Sequence, residues 1–183
     1  MYYCPEFLHP VAAIVYVCSR NYGKGTQYKC TCMNQRIAIA QLLLRLALGV
    51  GFLFPVMDRL GLLGAPGTGI PAWGNWANFV GYTNKLLPFL SAGGASIMGL
   101  IATIAEALFG ICLIIGLKTR LASLGAAILT LIFAICMATF MSIAAPFKYP
   151  VFVFTGASLL LSGLPVYKWS VDNLLLVRQR GRS

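Results

Sequence analysis

IATIAEALFGICLIIG, residues 101–116, sets one carboxylate, Glu106, among fifteen apolar or small residues. No residue inside the segment can neutralise it. The run extends to SIMGLIATIAEALFGICLIIGL (96–117), and three more of similar character occur: IAIAQLLLRLALGVGFLFPVM (37–57), LASLGAAILTLIFAICMATFMSIAA (121–145) and YPVFVFTGASLLLSGLPVY (149–167). Each is close to the ~20 residues a helix needs to cross a ~30 Å hydrocarbon core. The chain is 59% hydrophobic and only 10% charged, with a mean hydropathy of +0.82, whereas soluble domains carry about a quarter charged residues. Lipid leaves backbone polar groups no outside partner, so the spans are read as helices, and the ten-residue alternation of an outer-membrane barrel is absent. The expected fold is an all-α membrane protein, a four-transmembrane-helix bundle.

The net charge of +10 would suggest nucleic acid in a soluble protein, but its placement gives another account. Arg20, Lys24, Lys29 and Arg36 precede the first run, Lys118 and Arg120 fill the turn between the second and third, and Lys168, Arg178, Arg180 and Arg182 follow the fourth. Only Arg59, Lys85 and Lys148 lie on the other side. This asymmetry follows the positive-inside rule and predicts two cytoplasmic termini and a membrane-surface role for the basic tail, with no nucleic acid among the partners.

Three regions follow: an N-terminal extension (1–32), the transmembrane domain (33–168) and a basic cytoplasmic tail (169–183). The extension holds four of the six cysteines and His9, in spacings that match no zinc pattern. It is expected to be disordered, or to precede a natural start at Met33, and no metal site is expected. The long connection, residues 58–95, is placed outside. Its Gly- and Pro-rich opening forbids a continuous helix, whereas NFVGYTNKLLPFL (78–90) suits a short interfacial helix. GAPGTG (64–69) follows no strand and is no nucleotide motif.

Helical periodicity groups Ser96, Gly99, Thr103, Glu106 and Gly110 into one narrow sector of the second span. The first span carries a comparable stripe in Gln41, Arg45, Leu48, Gly49 and Phe52, the third in Ser123, Ala127, Thr130 and Ala134, and the fourth in Thr155, Ser158 and Ser162. Small and polar stripes face neighbouring helices. Counted from the cytoplasmic boundary, Arg45 lies ~12 Å and Glu106 ~16 Å up their spans, an offset that long side chains close. An Arg45–Glu106 ion pair is therefore expected, within a candidate buried polar site of Arg45, Glu106, Gln41 and Thr103. Such a pair either fixes helix register or serves a function. Asp58, with Trp73 and Trp76 of the loop, forms a candidate site at the external mouth; its plainer reading is a charged helix end beneath an interfacial aromatic belt. Cys112 and Cys136 lie too far apart in depth to form a disulfide.

LLLRLALGVGFLFPVMDRL (42–60) and IATIAEALFGICLIIGLKTRLASLGAAILTLI (101–132) resemble the DoxX/DoxD superfamily of small four-helix inner-membrane proteins. The matching features are Arg45 in the first span, the A-E-x-x-x-G of Glu106 and Gly110, and the G-L-x-T-R-L-A turn from Gly116 to Ala122. The resemblance covers residues 40 to about 165. It implies a multi-pass protein of the bacterial or archaeal cytoplasmic membrane. It further implies a redox role like that of the membrane subunit of a thiosulfate:quinone oxidoreductase, with quinone as a ligand and a redox protein as partner subunit. With no haem ligand pair and no flavin fingerprint, the chain is at most a non-autonomous subunit of such an oxidoreductase, with no covalently bound cofactor. The competing expectation is a non-enzymatic scaffold or recruitment factor for another membrane protein. A small-solute transporter fits less well, because broken helices and pseudo-symmetric halves are missing.

Overall fold

The computed structural model describes residues 15–20, 28–33, 35–66, 69 and 72–180. Three helices are long and apolar enough to cross a membrane: α1 (Gln35–Arg59), α3 (Ala92–Ile115) and α4 (Thr119–Phe140). The expected fourth span is shorter than its apolar run. Chain 141–150 contains Pro146, in the first turn of a short helix, and Pro150, at the residue before the last apolar helix. The third span stops at Phe140, a single turn forms at α5 (Ala145–Lys148), and α6 (Val151–Ser162) has 12 residues, capped by Gly163 with Pro165 just beyond. That is about 18 Å of helix, less than the ~30 Å hydrocarbon core. Two further helices lie outside the spans, α2 (Trp76–Leu86) in the long connection and α7 (Val171–Arg180) in the tail.

The helices close a ring: α1 packs on α3, α3 on α4, α4 on α6, and α6 back on α1. The stripes read from periodicity are its interior. Gln41, Arg45, Leu48, Gly49 and Phe52 of α1 are buried, as are Gly99, Thr103, Glu106 and Gly110 of α3, Ser123, Ala127, Thr130 and Ala134 of α4, and Thr155 and Ser158 of α6. Thr130 and Thr155 share a hydrogen bond of 2.9 Å across the α4–α6 contact. Around them Leu48, Phe52, Leu113, Ala122, Ala126, Leu161 and Tyr167 form the apolar core.

Two glycines set the α1–α3 register. A Cβ on Gly49 would stand 3.0 Å from the Gly110 carbonyl, and one on Gly110 3.1 Å from the Gly49 carbonyl. The antiparallel backbones touch there because neither residue has a side chain. α3 ends where Gly116 turns left-handed (φ 76°) and closes the last turn onto Cys112 O. The bundle thus has a turn end, formed by 116–118 and 163–170, and a loop end, formed by 60–66, 72–91 and 141–150.

Within the N-terminal extension, β1 (Val15–Arg20) pairs antiparallel with β2 (Tyr28–Met33), from Val15 opposite Met33 to Arg20 opposite Tyr28. The rest of the extension, with Cys4 and His9, lies outside the described residues.

Gly110→Ala is expected to destabilise the bundle by about 1–3 kcal/mol through overpacking. Gly156→Ala, on α6 with nothing within 4 Å of the added carbon, should be neutral or slightly stabilising because alanine favours helix. Thermal unfolding in detergent micelles distinguishes the two variants.

Candidate functional site

Glu106 does not meet Arg45. Its partner is Arg59, the last residue of α1: Arg59 Nη1 lies 2.9 Å from Glu106 Oε2, and Nη2 donates to Oε1 at 3.1 Å. Both side chains are 5% exposed. Nη1 also donates to Thr103 Oγ1 at 2.9 Å, while the Thr103 hydroxyl donates to Gly99 O at 2.7 Å.

Register and side-chain direction explain the correction. The Gly49–Gly110 contact puts Glu106 about 6 Å above that level and Arg45 about 6 Å below it, four residues each way at 1.5 Å per residue. The first turns of α1 continue past the end of α3, so the two spans share no common starting plane. Helical Cα–Cβ bonds also tilt toward the N-terminus. Arg45 and Arg59 on α1 therefore lean toward the turn end, and Glu106 on the antiparallel α3 leans toward the loop end. Arg59 and Glu106 converge, whereas Arg45 and Glu106 diverge.

An aromatic lid covers the pair. The Arg59 guanidinium carbon sits 4.0 Å from the Phe79 ring centre and 5.2 Å from that of Trp73, both within cation–π range. Trp73 packs edge-on to Phe79 at 5.4 Å and lies 5.6 Å from Tyr82. Trp76 lies 5.4 Å from Phe79 and its indole N–H donates to Ser96 Oγ at 3.4 Å. α2 brings Phe79 into place: Asn75 caps its start by accepting from the Asn78 amide, and Gly99 leaves room for the ring, which lies 2.9 Å from where a Cβ would stand.

Asp58 holds the lid down. Its Oδ2 accepts from the Ala72 and Trp73 amides at 2.9 and 3.0 Å, and Oδ1 from the Gly74 amide at 2.9 Å. Gly74 takes φ 65° there, a conformation glycine adopts freely. Asp58 and Arg59 thus act on opposite partners: one receives the loop backbone, the other reaches into the bundle.

The two expected sites are therefore regrouped. Glu106 and Thr103 join Asp58, Trp73 and Trp76 at the loop end. Gln41 and Arg45 stand at the turn end, where Gln41 Nε2 donates to Lys168 O at 3.0 Å and Arg45 Nη2 to Trp169 O at 2.8 Å. Arg59 and Phe79 are not among the expected site residues. The sequence signal for Arg59 is its spacing, since Arg45, Phe52 and Arg59 recur every seven residues and so share one face.

Chemically, the loop-end cluster offers a fixed guanidinium, a hydroxyl and a carboxylate against planar aromatic walls. Removing one member leaves an uncompensated buried charge. Arg59→Ala and Glu106→Ala are each expected to destabilise by about 3–5 kcal/mol, with the double variant well short of the sum. Arg45→Ala combined with Glu106→Ala should be additive, and melting temperatures of the three single and two double variants test both statements. Asp58→Ala should cost about 1.5–3 kcal/mol, as loss of hydrogen bonds to a charged acceptor. It should also speed proteolytic cleavage between residues 60 and 75 relative to the rest of the chain.

Comparison of the chain with protein-family models, with curated proteins and with solved structures gives no match.

Proposed function

We propose that the chain is the membrane subunit of a quinone-linked redox complex, with the Arg59–Glu106–Thr103 cluster as the place where the quinone ring is held. The observation that carries this reading is the ion pair itself, buried within the apolar helices beneath an aromatic lid. Charged groups at such positions are costly and most often functional. A quinone ring is planar, apolar on its faces and tipped with two carbonyl oxygens. Trp73 and Trp76 supply faces for the ring, Arg59, whose buried Nε has no hydrogen-bond partner, supplies a donor for an oxygen, and Glu106 supplies a carboxylate for proton exchange. Reduction of the ring takes two electrons from a centre on a partner subunit and two protons, one of them by way of Glu106. In this reading the basic turn end faces the cytoplasm, and the protein belongs to a bacterial or archaeal cytoplasmic membrane, in line with the resemblance to the DoxX/DoxD superfamily.

A second reading, a non-enzymatic scaffold for another membrane protein, draws support from a different observation. Polar groups near both ends of α1 are spent on holding the chain's own connections, Asp58 on 72–74 and Gln41 and Arg45 on 168–169.

Quinone extracted with the purified protein, together with quinone-dependent electron transfer in membranes, separates the two. Under the redox reading both signals are present in the native chain and fall about ten- to a hundredfold in Glu106→Gln, the worth of one hydrogen bond to a charged group. Undiminished turnover in that variant removes Glu106 from the mechanism. Absence of quinone and turnover, with partner protein lost alongside Arg59→Ala, is the scaffold outcome.

A further inference from the structure

The turn end gathers cationic, aromatic and aliphatic side chains onto one surface. Asp172, in the first turn of α7, accepts from the Lys118 and Thr119 amides at 2.7 and 2.8 Å, and its own amide donates to Gly116 O at 3.0 Å. These bonds dock the start of α7 on the α3–α4 turn and bring Lys118 and Arg120, both exposed, beside it. Arg45 and Gln41 hold the carbonyls of Trp169 and Lys168 at the same end. Trp169 is 56% exposed, and the Lys168 ammonium lies 5.9 Å from its ring centre. Trp169 adopts φ 52°, an unusual conformation for a residue with a large side chain. Along α7, Leu174 and Leu175 are 68% and 48% exposed.

The charges on this surface do not cancel internally. Lys118 and Arg120 are exposed on it and Lys168 is half-buried, three cations that outnumber its one carboxylate, Asp172, held by two backbone amides. The surface also adjoins the end of α3 and the start of α4, the level at which two of the long apolar helices stop. A cationic rim around exposed aromatic and leucine side chains has the composition of an interfacial anchor.

We propose that this surface seats on the anionic phospholipid headgroups of the adjacent leaflet. α7 lies in the plane of the interface, with Leu174, Leu175 and Trp169 reaching toward the acyl region and Lys118, Arg120 and Lys168 lying over the phosphates. Charge complementarity selects this occupant, because the surface is cationic and anionic lipid is the one polyanion always present at that depth. The proposal is independent of any redox role.

The test uses the full chain purified in detergent, supplied with a defined mixture of phosphatidylglycerol and phosphatidylcholine, and counts the lipids retained after washing by native mass spectrometry. The native chain should retain phosphatidylglycerol about fivefold over its supplied proportion, an enrichment carried by basic residues at the surface and lost in high salt as charges are screened. Lys118→Gln, Arg120→Gln and Lys168→Gln combined should return the retained lipids to the supplied proportion, with helix content by circular dichroism unchanged. Leu174→Gln with Leu175→Gln should reduce retention of both lipids. Retention in the supplied proportion by the native chain, or undiminished enrichment in the triple variant, overturns the proposal. Should the triple variant not fold, the salt titration of the native chain decides, and enrichment that survives about 1 M salt also overturns it.

Discussion

The guanidinium of Arg59 is the point from which the loop end of the bundle is organised. A charge so placed needs a countercharge, a further hydrogen-bond acceptor and a cover, and these needs recruit α3, the long connection and α2. Glu106 and Thr103 of α3 supply the first two, and Trp73 of the loop and Phe79 of α2 supply the third. Desolvating two charges commonly offsets what their attraction gains, so the pair is better understood as fixing an arrangement than as adding stability. Only one sliding position of α1 against α3 brings Arg59 down to Glu106, and it is the position in which Gly49 meets Gly110. Backbone contact and ion pair specify the same register from two independent chemistries.

α1 repeats this logic at its other end. Irregular backbone at the margins of a bilayer needs hydrogen-bond partners from the protein. Asp58 takes three loop amides, and Gln41 and Arg45 donate to two carbonyls of the segment before α7. The chemistry of each staple matches the backbone groups it must hold, since a carboxylate collects N–H groups whereas an amide and a guanidinium collect C=O groups. A substitution at either staple therefore acts on a connection distant in sequence, 14 to 16 residues away at the loop end and well over 100 at the turn end.

Much of this is legible in the chain. The apolar runs fix the number of long helices to within one, and the stripes of small and polar residues identify the buried faces of all four apolar helices. The shortfall at α6 lies at its two ends: Pro150 stands just before it, and Gly163 caps it with Pro165 two residues on, whereas hydropathy alone runs from 149 to 167. The change of partner for Glu106 has a different origin. Depth counted from the apparent ends of the apolar runs treats both helices as starting in one plane. The glycine contact shows that α1 overshoots α3, and the Cβ tilt, itself a sequence-level rule, already sends Arg45 and Glu106 in opposite directions. Asp172 is hidden for another reason: nothing in a sequence joins a tail carboxylate to a turn more than fifty residues earlier.

The position of the two charges at the end of α1 constrains how anything could enter the site. A ring bound against Arg59 must displace Phe79 or Trp73 from the guanidinium. Asp58 holds the Trp73 backbone amide, whereas Phe79 is carried on α2, a short helix packed on α3 with its ring against Gly99. Entry between α2 and α3 disturbs the cover and leaves the Asp58 clasp intact, whereas entry through the loop breaks both.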